Sequence, residues 1–315
     1  MKKNNLHTSY FRLSITDKCN LNCYFCHKEG QSKTCNRELI DTEDIIWVSK
    51  IVSKIGFTKF KITGGEPTLR KDLPVIVKEL KEHGVEDIAL ITNGIQLSKH
   101  AESLYSNGLD RIIISFHSFN ESIFRQMTGG NFEDLNMTLK GIDKALSFNF
   151  KDIRLNFVMN NEISRIDDLQ KTLSFAKSRN IKVMIVPLFD YNLKSSDSIY
   201  SFDKLYQLIK DLFGIQHEEI IIDNEGFRKR EITTNSDEKI LLKLDNLSDK
   251  STFKACSNCL QKNECREGNL PLRLSAKGIL CPCLAHGIPE IDIYSLIKNR
   301  NEQEVENIIH EINEL

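Results

Sequence analysis

Six short β-branched runs, each followed by an amphipathic segment, constrain this chain more than any other feature. Phe11 to Thr16 reads as a strand and Thr42 to Lys54 as a helix; Lys59 to Thr63 and the stretch from about Lys71 to His83 repeat the pair. Asp87 to Thr92 with Ser98 to Ser106, and Arg111 to Phe116 with Glu133 to Ser147, continue it. Ile153 to Met159 with Ile166 to Ser178, and Lys182 to Leu188 with Phe202 to Phe213, complete six units. Such a run predicts an α/β fold around a parallel sheet with right-handed crossovers. It leaves a doubly wound sheet and a complete or partial barrel both open. In either arrangement chemistry belongs at the C-terminal ends of the strands. The polar clusters fall there: Asp17 onward, Gly64-Gly65-Glu66, Asn93-Gly94, His117-Ser118 and Asn160.

Beyond residue 215 the alternation fades, which divides the chain into 1–215 and 216–315. Residues 216–254 read as short strands and turns. Val305, Ile308, Ile309, Ile312 and Leu315 form a helical stripe expected to dock on the body. There is no solenoid repeat and no low-complexity tract.

Charge excludes several classes. Lys plus Arg number 43 and Asp plus Glu 44, so no basic balance points to nucleic acid or an acidic membrane. The N-terminal residues lack a signal-like apolar stretch, and runs such as Val183 to Phe189 are too short to cross a bilayer. The expectation is a soluble, cytoplasmic protein. Its nine cysteines cluster: three at 19–26, five at 256–283, and Cys35 alone. In a cytosolic chain such clustering points to metal rather than disulfides.

Cys19-x3-Cys23-x2-Cys26 directly follows the first strand. Three thiolates on one loop can hold three irons of a [4Fe–4S] cube and leave the fourth open to chelation by an amino acid's amino and carboxylate groups. Half of a zinc site is the alternative. Gly64-Gly65-Glu66-Pro67 ends the second strand, where glycines permit close backbone approach and a carboxylate can accept from an ammonium group. An ordinary strand-to-helix turn has the same composition, and the same holds for Thr92-Asn93-Gly94.

Together these motifs resemble the radical S-adenosylmethionine (SAM) superfamily. Phe11 to Leu21, Cys26 to Gly30, Ile62 to Pro67 and Thr92 to Gly94 more specifically resemble the GTP 3′,8-cyclases that open molybdenum cofactor biosynthesis. The similarity spans most of 10–190 and returns at 256–284. It implies a partial (β/α)6 TIM-like barrel with a C-terminal auxiliary-cluster region. It also implies a SAM-binding cluster on Cys19, Cys23 and Cys26, and a 5′-deoxyadenosyl radical that abstracts hydrogen from substrate. Gly64, Gly65, Glu66, Pro67, Thr92, Asn93 and Ser115 are the SAM-binding residues it implies, with reduced flavodoxin or ferredoxin as electron donor.

Cys256-x2-Cys259-x5-Cys265 precedes Cys281-x-Cys283. Spacing alone allows a structural zinc knuckle. The cyclase resemblance implies a second [4Fe–4S] cluster with Cys283 as its third ligand and an open iron for substrate. Cys265 or Cys281 as a fourth ligand would close it, as in radical SAM peptide maturases, which Cys-x2-Cys-x5-Cys resembles. The resemblance further implies that Arg12, Lys59, Lys61, Arg154 and Arg273 grip a triphosphate. The cyclase's second arginine beside Arg273 is missing, and the chain has His117 where an Asp-Thr pair is usual, so His117 is a candidate for substrate contact or proton transfer. Three functions follow: a GTP 3′,8-cyclase or close paralogue, a radical SAM maturase of a peptide or natural product, and a zinc-binding interaction protein.

Overall fold

A computed structural model describes residues 10–26, 28, 37–160, 164–188, 202–222, 228–244, 271–283 and 289–314. The first six strands are β1 (Tyr10–Ser14), β2 (Lys59–Thr63), β3 (Asp87–Thr92), β4 (Arg111–Ser115), β5 (Asp152–Met159) and β6 (Lys182–Pro187). Between them lie α1 (Thr42–Lys54), α2 (Leu73–Glu82), α3 (Leu97–Ser106), α4 (Glu121–Thr128), α5 (Phe132–Leu146) and α6 (Ser164–Lys177), and α7 (Phe202–Phe213) follows. The strands lie side by side in chain order, all parallel. A doubly wound sheet would reverse order at a switch point; this one does not, so the architecture is a partial TIM-like barrel.

The same sheet continues on both sides. Beyond β6 stand β9 (Lys239–Lys243), β8 (Arg228–Thr233) and β7 (His217–Ile222); beyond β1 stand β10 (Pro271–Leu274), β11 (Ile279–Cys281) and β12 (Ile291–Asp292). β9 and β10 run parallel to their barrel neighbours. Strands on both sides of residue 215 thus hydrogen-bond into one sheet. The chain closes with α8 (Tyr294–Lys298) and α9 (Glu302–Glu314), where buried Val305, Ile309 and Ile312 form the expected docking stripe. No helix among the described residues is long and apolar enough to cross a membrane.

Alternation along the strands sorts the two faces. Phe11, Leu13, Phe60, Ile62, Ile88, Leu90, Ile112, Ile114, Leu155 and Phe157 belong to the core shared with the helices. Phe11 meets Phe57 and Phe60 with ring centroids 5.9 and 5.4 Å apart. The intervening residues face the concave side, and many are polar: Arg12, Ser14, Lys61, Thr63, Ser115, Arg154 and Asn156. Parallel strands buried on both sides are normally apolar throughout. Polar groups buried on the concave face instead call for hydrogen-bond partners there.

α4 is a separate helix ahead of the predicted Glu133 to Ser147 segment. Asn120 caps it, accepting from the N–H groups of Ser122 and Ile123 at 2.9 and 3.2 Å, and Gly129 ends it with φ of 70°. Polar cap and terminal glycine are the ordinary start and stop signals, here only eight helical residues apart.

Candidate active site

The cysteine loop leaves β1 at the mouth of the barrel. Cys26 N–H donates to Cys23 O at 3.1 Å, closing a turn with Tyr24 and Phe25 at its corners. The end of α4 anchors the loop: Asn22 N–H donates to Thr128 O at 2.8 Å and Tyr24 N–H to Met127 O at 3.1 Å. Gly130 makes room, since a Cβ there would lie 2.9 Å from Leu21 and 2.6 Å from Phe124. The thiols feel one another. Burial, then the charges of Cys26 and Cys19, push Cys23 up to about 12. Burial likewise raises Cys19, with Glu66 and Cys26 adding to it. Leu21 N–H and Lys28 N–H donate to the Cys19 and Cys26 sulfurs at 3.4 and 3.3 Å, and the first of these bonds opposes the rise at Cys19.

Gly64 and Gly65 press against the base of this loop. A Cβ on Gly65 would meet Lys18 O at 2.2 Å, and one on Gly64 would meet Thr16 O at 2.5 Å. Gly65 N–H donates to Thr16 O at 2.7 Å and Glu66 N–H to Lys18 O at 2.8 Å. The glycines therefore admit the chain's own backbone, which is where their close approach is used. The buried Glu66 carboxylate joins two strand ends. Its Oε1 accepts from Thr68 N–H at 3.1 Å, Thr68 Oγ1 at 2.5 Å and Thr92 Oγ1 at 2.6 Å; Oε2 accepts from Asn93 N–H at 2.7 Å. Asn93 Nδ2 reaches Asn20 Oδ1 on the cysteine loop at 2.8 Å. Burial raises the Glu66 pKa against these four donors. Oε2, with one partner, keeps capacity for a second donor.

Below the loop, register sets cations side by side. Arg12 on β1 pairs with Lys61 on β2 and Arg273 on β10, so three basic residues occupy adjacent strands on one face. Lys61 and Arg273 are buried, and Lys61 Nζ lies 4.8 Å from the Tyr10 ring centre. Arg154 is also buried, but four strands from β1, in register with Ile113 and Lys182. Lys59 lies at the opposite end of β2 from Gly64, level with Asp87. Among the described residues, Ser14 Oγ, Arg154 Nε and Asn156 Oδ1 are buried polar atoms without a hydrogen bond. Ser115 closes β4, level with Asn156.

Comparison with known proteins agrees with this layout. The radical SAM superfamily pattern matches residues 13–176. The chain belongs to the radical SAM superfamily. Its similarity to two archaeal proteins, each named "Probable GTP 3′,8-cyclase", runs almost end to end. The one from Methanococcus aeolicus is 32% identical over 91% of this chain and 89% of its own length. The one from Sulfurisphaera tokodaii is 29% identical over 91% and 84%. Among solved structures, Streptococcus suis SuiB bound to precursor peptide SuiA has a TM-score of 0.62 at 14% identity, covering 94% of this chain and 66% of that one. anSMEcpe with bound AdoMet and Kp18Cys peptide scores 0.61 at 15% identity, covering 97% and 82%. At such identities these two share the fold. Membership of that superfamily makes a [4Fe–4S] cluster and SAM the cofactors of this radical SAM enzyme.

The residues present fit that cluster. Cys19, Cys23 and Cys26 are all free thiols. A cubane asks for thiolates spread over three irons, and three neighbouring thiols on one anchored turn are such a donor set.

Cys281 lies directly across from Arg273, so it faces the concave side; half-buried Cys283 follows and packs on the apolar core. Cys256, Cys259, Cys265 and Cys35 lie outside the described residues. Lys277 reaches Asp17 at 3.9 Å, linking the β10–β11 hairpin to the base of the cysteine loop.

His117 stands one strand step beyond Ser115. Its Nδ1 accepts from Val158 N–H at 3.4 Å, and its ring meets Phe25 edge-on with centroids 4.8 Å apart. Burial, then the charge of Arg165, push its pKa down to about 3. It is therefore neutral at physiological pH and adds no charge for gripping phosphate. Several supporting residues escaped sequence reasoning. Arg165, fully buried, donates to Asp168 at 3.0 Å and Val158 O at 2.9 Å, while Ser118 Oγ donates to Asp168 at 2.8 Å. Arg70 donates to Ile15 O at 2.8 Å and grips Asp72 at 2.9 and 2.7 Å. Arg165–Asp168 and Arg70–Asp72 are neighbours in sequence, but only the fold brings Ser118 to Asp168 and Ile15 to Arg70.

Proposed function

We propose that this radical SAM lyase cleaves SAM at a cluster held by Cys19, Cys23 and Cys26 and acts on GTP, closing its C3′ and C8 as in the reaction that opens molybdenum cofactor biosynthesis. The observation that carries this reading is the basic row Arg273–Arg12–Lys61 on the concave face, with Arg154 on the same face. When bound, the cluster supplies an electron that splits SAM into methionine and a 5′-deoxyadenosyl radical. The chain's own residues do the positioning. Glu66 Oε2 offers its remaining acceptor site to the ammonium group of SAM, and Asn93, already bonded to Asn20, fixes the strand end beside it. Arg12, Lys61, Arg154 and Arg273, the last three buried, supply charge-assisted hydrogen bonds to phosphate oxygens. Ser14 and Asn156 offer the uncharged groups that such a site leaves for ribose or phosphate.

A second [4Fe–4S] cluster belongs to this proposal, with Cys256, Cys259 and Cys283 as ligands and an open iron for substrate; Cys265 or Cys281 as a fourth ligand would close it and favour the maturase reading. The resemblance of this chain to the archaeal cyclases across nine-tenths of its length supports GTP over a peptide substrate. Anaerobic turnover tests it: reduced, reconstituted protein should form 5′-deoxyadenosine and a cyclised purine product when GTP is added. A SAM cleavage rate indifferent to GTP, but raised by a peptide, would replace the cyclase with a maturase.

A further inference from the structure

Besides its backbone anchor on α4, the turn that carries the second and third cysteines meets two side chains outside the loop. Tyr24 and Phe25 project from it with rings 5.4 Å apart at 84°. Asn160, at the end of β5, donates from Nδ2 to the Tyr24 hydroxyl at 3.2 Å. His117, at the end of β4, meets Phe25 at 77°. His117 is itself held: Val158 N–H occupies Nδ1, so Nε2 carries the proton, and the carbonyl of the same Val158 is fixed by Arg165. Arg165 lies over the Phe157 ring at 4.3 Å and is locked by Asp168. The ends of β4, β5 and α6 thus form one rigid seat, and His117 is the part of it that touches the cysteine loop through Phe25.

We propose that His117 is a positioning residue for the radical-generating cluster: its ring, not its acid–base chemistry, holds Phe25 and thereby the Cys23–Cys26 turn against SAM. The proposal rests on the assignment of Cys19, Cys23 and Cys26 to that cluster. An edge-to-face aromatic contact of this kind is worth about two- to tenfold in an equilibrium constant. Nothing in the local sequence carries it, since His117 and Phe25 are far apart in the chain.

The test compares His117→Ala, His117→Phe, Phe25→Leu and the double variant His117→Ala/Phe25→Leu with the parent, all reconstituted and reduced without substrate. Iron content, the change that SAM causes in the electron paramagnetic resonance spectrum of the reduced cluster, and the Kd for SAM are read. His117→Ala should keep the parent's iron, weaken SAM about three- to tenfold and blunt the spectral change. His117→Phe should restore both. Phe25→Leu should make the alanine substitution silent, because the two residues act as one contact. A phenylalanine variant as impaired as the alanine one, or additive losses in the double variant, would overturn the proposal, as would an unaltered His117→Ala. Should His117→Ala not fold, the phenylalanine variant decides alone: a parent-like spectrum supports the ring's role, and a lost response refutes it. A parent that itself shows no SAM-dependent spectrum would instead bring down the cluster assignment, and the proposal with it.

Discussion

Replacing Glu66 by Gln isolates the carboxylate that joins the second and third strand ends. Three donors converge on Oε1 and one on Oε2. The amide keeps a single oxygen and will turn it toward the three, leaving Nε2 where Asn93 N–H now donates at 2.7 Å. Two donors then face each other in a buried site. Losing a bond to a charged acceptor and stranding an N–H costs about 1.5–3 kcal/mol. Part of this is regained, because burial already disfavours the Glu66 charge. The melting midpoint of the apoprotein should therefore fall by only a few degrees, on the order of 2–5 °C. SAM binding should suffer more. The acceptor offered to its ammonium group becomes a donor, and loss of one charge-assisted bond weakens binding roughly ten- to a hundredfold. Anaerobic equilibrium dialysis of labelled SAM against reconstituted protein reads this directly. If Glu66→Gln binds SAM within about twofold of the parent, the ammonium group does not sit on Oε2 and the reasoning fails.

Other expectations follow from the same geometry. Gly65→Ala would drive a Cβ to 2.2 Å from Lys18 O, so the base of the cysteine loop must shift; iron incorporation should collapse while far-ultraviolet circular dichroism stays near normal, and full iron content would contradict the close packing. Cys23, pushed up to about 12, holds little thiolate at neutral pH in the apoprotein; its iodoacetamide labelling should keep rising, about tenfold per pH unit, well past pH 9, and a plateau near pH 9 would show an ordinary thiol. Arg154→Met should raise the KM for GTP about ten- to a hundredfold and leave SAM binding untouched, so an equal loss of both would move Arg154 out of the substrate site.

Much of the fold was legible because barrel strands alternate with helices at a regular interval. Thr42–Lys54, Lys59–Thr63, Asp87–Thr92 and Phe202–Phe213 stand where hydrophobic period and capping residues put them. Doubly wound and barrel topologies share that alternation, so strand order had to come from the structure. The cysteine loop and the glycine turn were visible as motifs, yet their physical roles were not. Gly65 reads as a place for a ligand, whereas its hydrogen meets Lys18 O. Glu66 reads as a lone carboxylate, whereas it is the knot between Thr68, Thr92 and Asn93. His117 reads as a titrating side chain, but its charge is suppressed by burial beside Arg165, a neighbour 48 residues away in sequence. The resemblance grouped Arg12, Lys61 and Arg273, but their side-by-side register came from the sheet, since β10 returns to β1 from the far end of the chain.

The central claim is that a radical made at the Cys19–Cys23–Cys26 loop takes hydrogen from the ribose of a nucleotide held on the basic concave face. The mass of the 5′-deoxyadenosine formed with GTP deuterated at C3′ tests it most directly. The account predicts 5′-deoxyadenosine heavier by a single deuterium, formed together with the cyclised product. Unlabelled 5′-deoxyadenosine, released at the same rate with or without GTP, would contradict it.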